Sequence, residues 1–206
     1  MVTGNSLAAR ARVSLRLLPL GLASLLMLLP RPASAHVEGG PLGGFESGFT
    51  HPIFGMDHLL AMLAVGIWGA QMGGRAIWTL PVTFPLIMAM GGVAGMAGVP
   101  LPHVELGIAL SVLALGAAIA FAWKPAEWSA LALIAVFAVC HGHAHGVELP
   151  SAADPASYAV GFVVATGLIH VTGIGVGLLL GRLWDGKLAQ ALGAAIAAVG
   201  IYFAVA

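Results

Sequence analysis

The sequence predicts an all-α, polytopic membrane protein with six transmembrane helices after a cleavable signal peptide. Of the 206 residues, 60% are hydrophobic and only 8% are charged. The mean hydropathy of +1.01 lies far outside the range of soluble domains. Apolar runs near the roughly 20 residues that a hydrocarbon core requires recur along the chain. The cations that remain after the leader fall in alternate connections between these runs.

At the amino terminus, Arg10, Arg12 and Arg16 precede an apolar stretch from Leu17 to Leu29 and the small-residue sequence Ala33-Ser34-Ala35. This is the organisation of a secretory signal peptide. The stretch is too short to span, and Pro30 and Pro32 follow it, so cleavage after Ala35 is expected. Residues 1–35 are then the signal peptide and 36–206 a single six-span domain. The expected spans run from Pro52 to Met72, Ala76 to Ala97, Val104 to Trp123, Trp128 to His145, Ala156 to Gly181 and Leu188 to Ala206. The short connections leave nothing for a soluble domain.

Arg75, Lys124, Arg182 and Lys187 lie in alternate connections, which the positive-inside rule assigns to the cytoplasm. Both mature termini are then periplasmic, as the signal peptide also requires. Gly91-Gly92-x-x-Gly95 and Gly173-x-Gly175-x-Gly177-x-x-x-Gly181 are small-residue stripes of the kind that let helices approach closely in lipid. No internal repeat is visible, although two three-span halves are compatible with an inverted-repeat transporter.

Chemistry is concentrated in a few polar residues. The single cysteine, Cys140, excludes an internal disulfide and any multi-thiolate site. A metal site must therefore be built mainly from histidine and carboxylate. Asp57 and His58 stand at the head of the first apolar run. Ionisable groups in a span cost a few kcal/mol and mark ion or proton paths. His51 precedes His58 by one heptad, which on a continuous helix returns to nearly the same face; it is either a ligand or the cap of a helix starting at Pro52.

The second cluster is Cys140-His-Gly-His-Ala-His-Gly146 at the outer end of the fourth run. His141 and His145 share a face, Glu148 continues their stripe, and His143 points nearly opposite. Helix rise sets Asp57 roughly 8 Å below the outer surface and the two histidines within about 9 Å of it, so the motifs are level. His103 and Glu105 open the third run on the same side, Glu105 being either a ligand or a favourable acid at a helix start. His170 lies about 20 Å into the fifth run and is either a deeper relay site or a histidine bonded to a neighbouring helix. After cleavage His36 either offers its ring and a free α-amine to a metal or belongs to a disordered polar tail.

Imidazole and carboxylate suit nickel, cobalt, zinc or copper(II) without choosing among them. There is no Gly-rich phosphate loop for ATP and no His-Glu-x-x-His for a metalloprotease. A membrane b-type haem on His58 and His170 is a rival reading, opposed by their unequal depths. A non-transporting, metal-binding accessory role is another.

His51-Pro52-x-x-Gly55-x-Asp57-His58, the following Leu59 to Gly66, His141-Gly-His-Ala-His-Gly146 and Gly167-Leu-Ile-His170 together resemble the HupE/UreJ family of hydrogenase and urease accessory membrane proteins. The resemblance covers essentially the whole mature chain. It implies a permease, not an enzyme, that imports nickel, or in some members cobalt, across the bacterial inner membrane for metalloenzyme maturation. The transported ion is cargo and no permanent cofactor is implied. The implied partners are the bilayer, the ion and the metallochaperones or assembly proteins of hydrogenase or urease, with no nucleic acid. The first motif is also similar to the His-x4-Asp-His signature of larger nickel and cobalt permeases, with five residues here between His51 and Asp57.

Overall fold

The computed structural model describes residues 44–149 and 154–206. The expected signal peptide and His36 lie outside these. The described chain is helical: Gly44–Phe54 (α1), Met56–Met72 (α2), Ala76–Met96 (α3), Val104–Ala120 (α4), Glu127–Val147 (α5), Pro155–Arg182 (α6) and Lys187–Val205 (α7), with a 3-10 turn at Trp184–Gly186. Helices α3, α5, α6 and α7, the last with its preceding turn, are long and apolar enough to cross a membrane. The pair α1–α2, bent by 77°, makes a fifth candidate, and α4 is a shorter apolar helix. On α6, Val160, Val164, Leu168 and Val171 are exposed while Ile169 and Ile174 are buried. A helix apolar on its exposed face as well as its buried one belongs in a bilayer.

Two expected spans differ in detail. The first is not continuous from Pro52 to Met72: α1 reaches back to Gly44, and the chain breaks at Gly55, whose φ of −75° and ψ of 100° are extended. Pro52, inside α1, has no N–H for the carbonyl one turn back, and Gly55 has no side chain to hold a helical path. His51 and His58 therefore do not share one helix face, and the heptad argument for pairing them fails. The third span stops at Ala120 rather than Trp123. There the Trp123 N–H donates to the Ala118 carbonyl at 2.9 Å, and Ala122 takes a left-handed φ of 49°, the wrapped end of a Schellman-type cap.

Close packing is organised in helix pairs by glycine. A Cβ on Gly142 would collide with the Met88 carbonyl and one on Gly146 with the Gly92 carbonyl, so α5 lies directly on α3. Likewise Gly66 meets the His170 carbonyl and Gly173 the Leu63 carbonyl between α2 and α6. Gly116 meets the backbone of Ala197, and Gly200 that of Leu113, between α4 and α7. The first two pairs run parallel and the third antiparallel. Exchanging the first three spans with the last three maps this pairing onto itself with direction inverted, as an inverted repeat would; the looser contacts do not follow that exchange.

Long-range hydrogen bonds define two ends. Thr79 Oγ1 donates to Glu127 Oε1 at 2.7 Å, Trp68 Nε1 to the Trp123 carbonyl at 2.9 Å, and Gln71 Nε2 to the Ile119 carbonyl at 3.1 Å. These bonds gather the connections bearing Arg75 and Lys124 at one end, hereafter the cationic end. His143 Nε2 lies 2.7 Å from the Val99 carbonyl at the other, the imidazole end. There α6 starts with Pro155 and the Asp154 side chain accepting the Ser157 N–H at 2.7 Å.

Candidate metal site

At the imidazole end the break at Gly55 turns α1 back over the head of α2. Four imidazoles from three helices meet there. His58 of α2 lies 4.6 Å from His141 and 4.3 Å from His145, centroid to centroid, and His51 of α1 lies 4.6 Å from His145 and 6.0 Å from His58. Thus the bend, not a common helix face, brings His51 to the cluster. His58, His141 and His145 are at most 6% exposed. Phe162 packs 4.2 Å from His145, and Tyr158 lies 6.3 Å from His51, so α6 closes the side of the group.

The glycines of the histidine-rich motif are not mere spacers. Gly142 and Gly146, one turn apart, form the face of α5 that seats on α3. His141 and His145, one residue behind each, are turned toward α2 and α1 by the same registration. The motif is therefore two interleaved stripes, one for packing and one for chemistry.

Hydrogen bonds fix the protons on two rings. Asp57 Oδ1 lies 2.7 Å from His58 Nδ1 and accepts the His58 backbone N–H at 2.7 Å. A carboxylate oxygen accepts, so Nδ1 carries the proton and Nε2 is left with its lone pair. His58 Nε2 is buried and has no hydrogen-bond partner among the described residues. On the other side, Ser111 Oγ donates to the Ile108 carbonyl at 2.6 Å and lies 2.8 Å from His141 Nε2. A hydroxyl has one proton, so His141 Nε2–H must donate to it, which leaves the lone pair on Nδ1. That atom too is buried without a partner, as are both nitrogens of His145.

A buried polar atom left unpaired costs about 1–3 kcal/mol, and four sit together here. A histidine oriented by a carboxylate through one nitrogen, with the other free, is the arrangement that metal-binding imidazoles adopt. The donor set suits nickel, cobalt, zinc or copper(II). Even so, among the described residues no group of three or more His, Cys, Asp or Glu is arranged to hold a metal ion as it stands. His51 and His141 meet their neighbours edge to face, while the His58 and His145 rings are tilted at 58° to each other.

The other candidate residues are placed as follows. Glu148 reaches the rim, its Oε2 3.8 Å from His51 Nε2. His143 faces away from the cluster, its Nε2–H held by the Val99 carbonyl. His103, in a left-handed conformation with φ of 57°, and Glu105 are exposed at the start of α4. His170 is buried on α6 and touches no imidazole of the cluster; its ring lies 5.7 Å from Phe84, which lies 5.6 Å from His141. Cys140 packs against Gly107, away from the four rings. Ser111 is the positioning residue that the sequence did not bring forward; its only signal is a lone hydroxyl in an apolar run.

Residues 24–203 match the family described as HupE / UreJ protein. The chain is also similar to "Protein HupE" of Rhizobium leguminosarum bv. viciae, with 42% identity over 174 residues, covering 84% of this chain and 91% of the relative. No solved structure matches the chain significantly. With most of its length matched by the family and by this relative, the chain is a multi-pass membrane protein that belongs to the HupE/UreJ family.

Proposed function

We propose that the protein is a secondary permease that takes a divalent transition metal, nickel or cobalt, from the periplasm across a bacterial inner membrane, for hand-over to the proteins that mature hydrogenase or urease. The imidazole end faces the periplasm in this reading, and the mature termini lie on that side. His58 and His141 supply the two prepared lone pairs, Asp57 orients His58, His145 completes the grip and His51 closes over it. Glu148 lends negative charge at the rim.

The observation that carries the reading is the clustering of the His58, His141 and His145 rings, each with a buried nitrogen that has no hydrogen-bond partner among the described residues, beside an imidazole-orienting carboxylate. Further support comes from the gathering of Arg75 and Lys124 at the opposite end, which the positive-inside rule puts in the cytoplasm. A group that needs small ring rotations to converge also suits passage, since an ion must leave as well as bind. His145 is the ring of the group whose orientation no hydrogen bond among the described residues fixes. A haem spanning His58 and His170 fits poorly: His170 is level with Gly66, about 12 Å along α2 from His58 at 1.5 Å per residue.

The test is metal uptake by purified protein in liposomes, with nickel and cobalt supplied outside. Accumulation that requires His145 supports the permease. Protein that binds the ion at the membrane but never moves it inside is instead a non-transporting accessory protein.

A further inference from the structure

A little over two turns of α2 below His58, α6 carries a second set of buried polar atoms. His170 is 2% exposed and Thr166 0%. One turn apart, they share a face of α6. Among the described residues, neither ring nitrogen of His170 has a hydrogen-bond partner, and neither does Thr166 Oγ1. The contrast with Thr172 is informative: on the exposed side of the same helix, its hydroxyl donates to the Leu168 carbonyl at 2.8 Å in the usual way for a helical threonine. Thr166 forgoes that bond inside the protein, where it would be most favourable.

Phe84 of α3 connects the two levels. Its fully buried ring touches His141 above and His170 below. Counted from the imidazole ends of their helices, His141 lies about 9 Å deep, Phe84 about 18 Å and His170 about 22 Å. The ring is therefore at an intermediate depth, between the outer imidazoles and the inner histidine.

We propose that His170 and Thr166 form an inner station for the same divalent transition cation, separated from the outer imidazole group by the Phe84 ring. The proposal rests on the permease reading. One imidazole nitrogen and one hydroxyl oxygen hold the ion weakly while it keeps water at its other positions, as a transit site requires. The outer group supplies affinity and the inner station supplies passage.

The test uses the full chain in detergent and in liposomes, with Co2+ as a spectroscopic probe and Ni2+ for uptake. Wild type binds Co2+ in a tight phase and a weak one. His170→Gln removes the weak phase, leaves the tight Kd within about twofold, and slows uptake at least tenfold. Thr166→Val, nearly the same shape, slows uptake in the same direction. Asp57→Ala weakens the tight phase at least tenfold. Uptake within twofold of wild type in both α6 variants overturns the inner station while leaving the permease reading intact. Loss of the tight phase in His170→Gln also overturns it, since His170 is then a packing residue. If wild type moves no metal, the permease reading itself fails and the station with it.

Discussion

Ser111 Oγ lies 2.8 Å from His141 Nε2 while its own proton goes to the Ile108 carbonyl at 2.6 Å. One hydroxyl on α4 thereby decides which nitrogen of a histidine on α5 faces the cluster. Ser111→Ala removes that control without filling or emptying much volume. Metal affinity is expected to fall about tenfold, at the lower end of the usual loss for an orienting partner, with the protein still folded. A nickel titration of the purified variant checks this; an unchanged Kd would show that His141 needs no orientation.

His143 provides the opposite case. It lies in the most histidine-rich stretch of the chain, yet its Nε2 is given to the Val99 carbonyl. His143→Ala should cost about 1 kcal/mol of stability, the value of one hydrogen bond, and leave metal affinity within twofold. Thermal unfolding and a metal titration on the same preparation separate the two effects.

Glycine packing makes a graded prediction. A Cβ at Gly142 would collide with the Met88 carbonyl, whereas one at Gly167 has nothing within 4 Å. Gly142→Ala should destabilise by about 1–3 kcal/mol, the usual cost of overpacking, and disturb His141 and His145 with it. Gly167→Ala on α6 should be neutral or slightly stabilising. Melting temperatures of the two variants in detergent decide whether the α3–α5 contact is as close as described.

Protonation should oppose capture. An imidazole binds metal only in its neutral form. As acid protonates the rings the cluster loses ligands, so uptake should weaken as the pH is lowered and recover on return to neutrality. Equal uptake at neutral pH and at the lowest pH at which the protein stays folded would mean that the imidazoles do not hold the ion.

Much of this was legible in the residues. Apolar runs located six helical segments because a bilayer imposes length and composition, and the phase of His141 and His145 against His143 followed from helix periodicity alone. The break at Gly55 was not legible as such, since Pro52 and Gly55 each also occur inside membrane helices and only tertiary packing of α1 on α6 fixes the bend. For His51 the turn of the chain, not a shared helix face, brings the ring beside His145. Ser111 and Phe84 escaped notice because a hydroxyl or a ring in an apolar run gains meaning only from its neighbours across helices.

In the proposed permease Asp57, by orienting His58 at 2.7 Å, prepares the imidazole group to capture a metal that then crosses the membrane. The direct measurement is nickel and cobalt uptake by Asp57→Ala protein in liposomes beside wild type, at matched protein content. The account predicts a loss of at least tenfold, within the range expected when a ligand's orienting partner is removed. Uptake by Asp57→Ala equal to wild type would contradict it.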